Sequence, residues 1–243
     1  MMLKKLYDKD EVWFAVGWIL VYVLAFANGD AISESIGIPK LVTVPVGVLL
    51  SLVLYRFIRS NGLMAHFGLC PIRGSWKSYL WFLPLAVISS VNFWNGLTLN
   101  APLTEIVLYI LSMCCVGFLE EGIFRGLLFR GMAKTNLKSA VIVSSLTFGV
   151  GHIVNLLLGA PLLGTLLQLV YASAIGFCYT ALFLVSGSIL PCIVSHIFVN
   201  STSIFAVTPS AGMDIGIAIL QTILSTGYGL WLLRKGKYFQ NPG

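Results

Sequence analysis

The residues most able to do chemistry are two adjacent carboxylates followed by an arginine: Glu120, Glu121 and Arg125. A carboxylate can act as a general base, and an arginine can hold a neighbouring carboxylate in its ionised form. Glu121 and Arg125 are four positions apart, so their side chains share a helix face, whereas Glu120 lies about 100° further round. This spacing predicts that Arg125 pairs with Glu121 and leaves Glu120 free to face a cavity.

Two of the three histidines, His152 and His196, lie in apolar segments and extend this chemistry. Phe148 precedes His152 by four positions and Asn200 follows His196 by four, so each pair shares a helix face. Histidine exchanges protons near neutral pH, and the asparagine amide both donates and accepts hydrogen bonds. The third histidine, His66, lies in a polar loop with nothing to distinguish it.

These polar groups are energetically unfavourable at their positions, because long apolar runs surround them. A charge at the centre of a bilayer costs about 2.5–3.5 kcal/mol even on the mildest scale. A helical bundle can accept polar side chains from three separate apolar helices only by pointing them inward. We therefore expect one shared cavity between the cytoplasmic interface and mid-depth, open to the cytoplasm.

The composition explains why lipid is the expected surrounding. Of 243 residues, 58% are hydrophobic and only 10% are charged, whereas a soluble domain is about 25% charged. Such a chain cannot cover a water-facing surface, so residues 1–243 are predicted to form a single membrane-embedded domain. The net charge of +6 does not indicate nucleic-acid binding, because the basic residues occur as short clusters between apolar runs.

The elements that position the polar groups are predicted to be transmembrane helices in an all-α, polytopic bundle. Apolar runs of about 20 residues, enough to cross a bilayer, recur about eight times. After the fourth run, Gly122–Lys138 mixes apolar and basic residues, which predicts an amphipathic helix in the cytoplasmic interface. The predicted spans are Val12–Asn28, Leu41–Phe57, Tyr79–Leu99, Pro102–Glu121, Ala140–Leu158, Leu162–Val185, Ile189–Val207 and Ile215–Leu233.

The positions of the basic residues predict the orientation of the bundle. With eight spans, every basic cluster falls on one side, and the loops of the other side carry only Lys40. Cytoplasmic loops are rich in lysine and arginine, so both termini are predicted to be cytoplasmic. The clustered residues are Lys4, Lys5, Lys9, Arg56, Arg59, Arg73, Lys77, Arg125, Arg130, Lys134, Lys138, Arg234, Lys235 and Lys237.

The same residues also allow plainer interpretations. Glu121 with Arg125 could be a structural ion pair at a membrane boundary, and His152, His196 or Asn200 could be hydrogen-bonded packing residues. Buried charges also form the ion or proton path of transporters and channels. A catalytically idle scaffold that binds a partner is a further alternative.

Taken together, the three motifs resemble those of the CAAX protease and bacteriocin-processing (CPBP) family, also called Abi or type II CAAX prenyl endopeptidase-like proteins. The Glu-Glu-x-x-x-Arg motif matches Glu120–Arg125, and the Phe-x-x-x-His motif matches Phe148 and His152. The His-x-x-x-Asn motif matches His196 and Asn200. The resemblance covers roughly residues 100–205.

The resemblance implies an intramembrane protease that hydrolyses a peptide bond. By analogy, Glu120 and His152 activate the attacking water, with Glu120 as the general base. His196 and Asn200 stabilise the oxyanion, a role that often supplies the largest catalytic term. Glu121 and Arg125, together with Phe148 of the second motif, support and orient these groups.

A metal is left open by the sequence. A catalytic zinc needs three protein ligands and an open position, and Glu120, His152 and His196 are enough in number. The His-Glu-x-x-His run of common zinc proteases is absent, as is any aspartate between Glu34 and Asp214 that could form an aspartyl dyad. For the activity that the resemblance implies, we favour a metal-independent glutamate mechanism, with no certain cofactor.

The expected partners are the lipid bilayer and a hydrophobic, lipidated or membrane-anchored peptide. The resemblance implies CAAX-type processing, or bacteriocin or signal-peptide maturation or immunity. The short loops and small size favour a prokaryotic plasma membrane as the location.

Overall fold

The fold is a bundle of helices in a computed structural model that describes residues 2–72, 80 and 82–235. Within these residues the only strand-like pairing is an isolated bridge between Leu97 and Ala206. Three short 3-10 turns, Val91–Phe93, Gly151–Ile153 and Ser203–Phe205, join helices or extend them. The helices are α1 Met2–Lys9, α2 Glu11–Ile36, α3 Thr43–Ser60, α4 Leu83–Ser89, α5 Leu103–Glu121, α6 Arg130–Ala133, α7 Leu137–Val150, α8 Val154–Leu157, α9 Leu162–Ser186, α10 Leu190–Thr202 and α11 Ala211–Lys235.

The predicted all-α membrane bundle is confirmed. Six stretches of the described chain are long and apolar enough to cross a bilayer: α2, α3, α5 with its continuation to Ala133, α7 with α8, α9 and α11. A seventh, Leu190–Phe205, is apolar but shorter. The protein is therefore an integral membrane protein.

The third predicted span, Tyr79–Leu99, does not form a full-length helix. Its described part contains only α4 and the 3-10 turn Val91–Phe93. Pro84 fixes the start of α4 at its first turn. Gly96 then adopts a left-handed conformation with φ of 93°, which ends any helical run.

The bundle has two distinct ends, which we call the basic end and the far end. At the basic end, Lys134 pairs with Glu11 at the start of α2, and the Ile189 N–H donates to the Gly68 carbonyl at 2.9 Å. At the far end, the Thr98 N–H donates to the Phe205 carbonyl at 2.8 Å. Arg73, Lys77 and Lys237, which belong to the predicted basic clusters, lie outside the described residues.

The predicted amphipathic helix at Gly122–Lys138 is wrong. After Glu121 the chain continues as a π-helix, Gly122–Phe129, in which every residue is buried. Gly126 permits this burial, because a Cβ there would lie 2.5 Å from the ring of Phe67. The basic residue within the segment, Arg125, is neutralised inside the bundle and does not mark a membrane surface.

Gly149 determines how closely α7 approaches α9. A Cβ at Gly149 would lie 2.0 Å from Ser173 Oγ and 2.6 Å from the Leu169 carbonyl oxygen. Gly149→Ala is expected to destabilise the protein by about 1–3 kcal/mol, because the helix backbone must move apart. Gly151→Ala is the matched control, since a Cβ there meets nothing within 4 Å. Thermal unfolding in detergent measures both, and equal melting temperatures would contradict the packing argument.

Candidate active site

The ion pair that the sequence predicts between Glu121 and Arg125 forms in the bundle core, beneath the site. Arg125 Nη1 donates to Glu121 Oε1 at 3.0 Å, and both side chains are fully buried. Arg125 Nη2 donates to the Gly176 carbonyl of α9 at 3.1 Å, and the guanidinium lies 4.2 Å from the ring centroid of Phe148. The arginine thus ties α5 to α7 and α9.

His196 lies between the two carboxylates. Its Nδ1 is 2.8 Å from Glu121 Oε1, so Nδ1–H donates to that oxygen. Its Nε2 is 3.7 Å from Glu120 Oε2. Gly117 makes this approach of α10 to α5 possible, since a Cβ there would lie 2.5 Å from Ile197 Cγ1. Glu121 therefore fixes the ring, and Nε2 faces Glu120.

Glu120 lines a cavity, as its spacing predicts, but it also has a partner on another helix. The Tyr22 hydroxyl of α2 donates to Glu120 Oε1 at 2.6 Å. The second oxygen, Oε2, faces His196 Nε2. The carboxylate is thus oriented from two sides while part of it remains accessible from the cavity.

His152 lies in the 3-10 turn that follows α7 and also lines the cavity. Its Nδ1–H donates to the Phe148 carbonyl at 3.1 Å, which leaves Nε2 as an acceptor in the neutral ring. The Phe148 ring lies between the two histidines, 5.7 Å from the His152 ring and 5.6 Å from the His196 ring. No hydrogen bond joins His152 to Glu120, both of which are among the described residues.

The cavity has a volume of about 880 Å³ and is lined by Glu120, His152, His196 and Asn200 together. Asn200 reaches it one helical turn after His196. The lining then continues to residues of the far end: Asp30, Lys40, Leu158, Val207 and Asp214. The four polar groups therefore share one pocket.

Among the described residues, none of those that line the cavity lies at the basic end. That end is filled by the buried π-helix and by Phe67, which is fully buried. Arg130 also stacks on the Phe183 ring there, 4.4 Å from its centroid. The sequence gives the distance of each residue along its own helix. It does not show which end of the bundle is filled by neighbouring elements.

Residues 102–202 match the model of a family described as Type II CAAX prenyl endopeptidase Rce1-like. The match covers less than half of the chain, and over that range it supports an assignment to the CAAX protease family. The matched range contains all three motifs, and the family name denotes an endopeptidase. No curated protein matches the chain.

Among the described residues, the zinc ligand set that the sequence left open does not assemble. No three His, Cys, Asp or Glu side chains of the described residues are grouped so that they could hold a metal ion. Only Nε2 of each histidine is left for a ligand, since His196 Nδ1 is bonded to Glu121 and His152 Nδ1 to a backbone carbonyl. The site is built from hydrogen bonds between its own side chains.

Tyr22 is the site residue that the sequence analysis missed. It lies outside the range that matches the family model, in a run that looks like ordinary apolar filler. One signal was available, because a tyrosine hydroxyl in the middle of an apolar span needs a hydrogen-bond partner. The sequence could not show that the partner is Glu120, on a different helix.

Proposed function

We propose that this chain is an intramembrane endopeptidase in which Glu120 activates the water that hydrolyses a peptide bond. One observation carries the proposal: Glu120 lies in a cavity within the bundle, held by Tyr22 on one side and facing His196 on the other. A carboxylate that is oriented and still accessible can take a proton from a bound water. The match of residues 102–202 to a CAAX endopeptidase family model supports the same reaction.

In the proposed reaction, water binds between Glu120 and the acceptor Nε2 of His152. Glu120 takes a proton as the water oxygen forms a bond to the peptide carbonyl carbon. The proton then passes to the amine nitrogen as the C–N bond breaks, which leaves a new carboxyl group and a new amino terminus. Microscopic reversibility allows one carboxyl group to act first as base and then as acid.

The oxyanion that forms on the carbonyl oxygen needs hydrogen-bond donors already in position. In the proposal, Asn200, which lines the cavity, donates from the NH₂ of its side-chain amide. In the proposal, His196 acts with Asn200 at the oxyanion, and Glu121 holds its Nδ1. The buried pair of Glu121 and Arg125, with Phe148 stacked against it, holds the His196 ring in place.

The proposed substrate is a hydrophobic, lipidated or membrane-anchored peptide, because the cavity is lined mainly by apolar side chains inside the bundle. CAAX-type processing, bacteriocin maturation or immunity, and signal-peptide maturation are all reactions of this kind. A prokaryotic plasma membrane, with both termini cytoplasmic, is the proposed location.

The experiment is cleavage by purified protein in detergent, followed by mass spectrometry of the products. A farnesylated CAAX peptide and an unprenylated hydrophobic peptide are supplied as separate substrates. Cleavage of either by the wild type, lost in His152→Ala of equal folding, supports the proposal. Cleavage at the wild-type rate by His152→Ala would overturn its role in activating the water.

Tyr22→Phe is expected to lower kcat about tenfold or more and to change KM little. A hydrogen bond to a charged group is worth about 1.5–3 kcal/mol, and each 1.36 kcal/mol in the barrier is about tenfold in rate. Without the phenol, Glu120 loses the contact that fixes one of its oxygens. Tyr55→Phe is the control, because among the described residues the Tyr55 hydroxyl accepts a hydrogen bond only from Arg59, one turn along α3. An equal loss of kcat in Tyr22→Phe and Tyr55→Phe would contradict the prediction, because it would show a general effect of removing a phenol hydroxyl.

Metal chelation is expected to leave the cleavage rate of the purified protein unchanged. The reason is the donor geometry, since no three His, Cys, Asp or Glu side chains of the described residues are grouped so that they could hold one ion. Activity is measured before and after dialysis against a chelator. A rate that falls on chelation and returns with added zinc would contradict the metal-independent mechanism.

A further inference from the structure

A second cavity lies on the surface of the bundle, between α1 and the end of α3. It has a volume of about 650 Å³ and shares no residue with the cavity that contains Glu120. We call it the α1–α3 groove. Its wall combines apolar, polar and basic side chains, those of Leu3, Lys4, Val53, Arg56, Phe57, Ser60 and Asn61.

The α1–α3 groove is held in shape by Tyr7, a buried residue of α1. The Tyr7 ring lies 5.6 Å from the Phe14 ring of α2 and 5.5 Å from the Phe57 ring of α3, measured between ring centroids. Phe57 is itself buried and lines the groove. Lys4 Nζ lies 5.3 Å from the centroid of the Tyr7 ring. The packing of Tyr7 therefore keeps α1, with Lys4, beside α3.

The groove is basic, and its arginine is available to a ligand. Lys4 and Arg56 are its charged lining residues, and Lys4 also pairs with Asp8 of α1. Arg56 is exposed and makes no hydrogen bond or ion pair with any of the described residues. Arg59 differs, because it donates to the Tyr55 hydroxyl at 3.4 Å and does not line the groove. A guanidinium without a partner is well suited to donate two hydrogen bonds to a phosphate.

An exposed apolar surface continues from the groove along α3, which is long and apolar enough to cross a bilayer. Leu49 and Val53 precede Arg56 by seven and three positions, so the three side chains share one helix face. Leu49 is 62% exposed and Val53 is 36% exposed. Leu49 lies about 10 Å along the helix from Arg56. This face therefore has a cation near the end of the span and apolar surface toward its middle, in the order of a phospholipid headgroup and its acyl chain.

We infer that the α1–α3 groove binds one anionic phospholipid of the surrounding bilayer. The lipid phosphate accepts hydrogen bonds from Arg56 and lies near the Lys4 ammonium, while an acyl chain follows Val53 and Leu49. Basic pockets between membrane helices bind anionic headgroups, whereas a zwitterionic lipid would bring its own cation toward two like charges. The inference does not depend on the peptidase function, because the groove shares no residue with the candidate active site.

Native mass spectrometry of the whole protein, released from an uncharged detergent, counts bound lipids and gives a dissociation constant for the first one. Phosphatidylglycerol and phosphatidylcholine with the same acyl chains are titrated separately, and the wild type is expected to bind phosphatidylglycerol more tightly. Arg56→Gln is expected to weaken phosphatidylglycerol binding about fivefold, the usual contribution of one basic side chain near an anionic membrane surface. Because Arg56 is exposed and has no partner among the described residues, this variant is expected to fold like the wild type.

The matched control is Arg59→Gln, which removes the same charge from the same helix at a position outside the groove. This variant is expected to bind phosphatidylglycerol with nearly the wild-type affinity. Equal weakening in Arg56→Gln and Arg59→Gln would show a general effect of surface charge and overturn the site. Equal affinity of the wild type for the two lipids would overturn it as well.

A competition experiment distinguishes the lipid from its headgroup alone. Glycerophosphoglycerol, the soluble headgroup of phosphatidylglycerol without acyl chains, is added to the wild type at the same concentration as the lipid. The lipid is expected to stay bound, because the headgroup alone makes no contact along Val53 and Leu49. Displacement of the lipid would assign the groove to a soluble phosphate compound and overturn the inference.

Discussion

Replacing Glu120 by glutamine is expected to lower the rate of peptide cleavage by about 10²–10⁴-fold, the usual contribution of a general base. Glutamine keeps the shape of the side chain, and its amide oxygen can still accept the Tyr22 hydroxyl. It cannot accept a proton from water, so the loss is one of chemistry rather than packing. KM is expected to change little, and purified protein in detergent with a quenched fluorescent peptide gives both constants.

The matched control for this variant is Glu105→Gln. Glu105 lies in the first turn of the same helix, α5, and is not among the residues that line the cavity. The Glu105→Gln variant is expected to cleave the peptide at nearly the wild-type rate. Wild-type cleavage by Glu120→Gln would exclude Glu120 as the base. Absence of cleavage in all three proteins, with biological activity kept in Glu120→Gln, would favour the idle scaffold.

Arg125→Met is expected to destabilise the folded protein by about 3–5 kcal/mol, because it leaves the charge of Glu121 buried without its partner. Both side chains of this pair are fully buried, and Arg125 also donates to the Gly176 carbonyl of α9. Methionine fills much of the same volume, so the effect measures lost charge pairing more than a cavity. The destabilisation is measured as the difference in the free energy of unfolding in detergent between the variant and the wild type.

The control breaks an ion pair at the surface. Lys134→Met removes the partner of Glu11, but the Lys134 side chain is 56% exposed, and such pairs are worth about 0–1 kcal/mol. Adding Glu121→Gln to Arg125→Met is expected to recover part of the stability, since no charge then remains buried. Equal unfolding free energies for Arg125→Met and Lys134→Met would contradict a structural role for the buried pair.

The grouping of the polar residues could be predicted from sequence because of one energetic fact. Polar side chains on apolar helices are costly in lipid, so Glu120, His152 and His196 were expected to share a pocket. The structure places all three along the same cavity, and the spacing of Glu121 and Arg125 correctly predicts their pair. Local spacing and burial cost suffice for both predictions.

The features that depend on several distant elements could not be predicted in this way. The burial of Gly122–Phe129 depends on Phe67, which packs against Gly126 from a loop far away in sequence. The hydrogen bond from the Tyr22 hydroxyl to Glu120 joins residues that are 98 positions apart in sequence. The end of the bundle toward which the cavity extends depends on which end is filled by other elements. The hydrophobic periodicity of a single helix carries no information about this.

The third and seventh predicted spans show a related difficulty. Hydropathy detects how apolar a segment is, but not whether its backbone stays helical. In the described part of the third span, Asn92 donates to the Val199 carbonyl at 2.5 Å and thereby bonds to α10. The seventh, α10, is shorter than a full span and presents His196 and Asn200 to the cavity. Both departures from a long straight helix lie beside the site.

A single turnover in ¹⁸O-labelled water, with enzyme in excess over a hydrophobic peptide, tests the central claim most directly. Direct attack by a water that Glu120 activates predicts one ¹⁸O atom in the new carboxyl group of the product and none in the enzyme peptide that contains Glu120. Mass spectrometry reads both. Label in Glu120 would indicate a covalent intermediate, and an intact substrate would indicate no hydrolysis; either result would contradict the proposed mechanism.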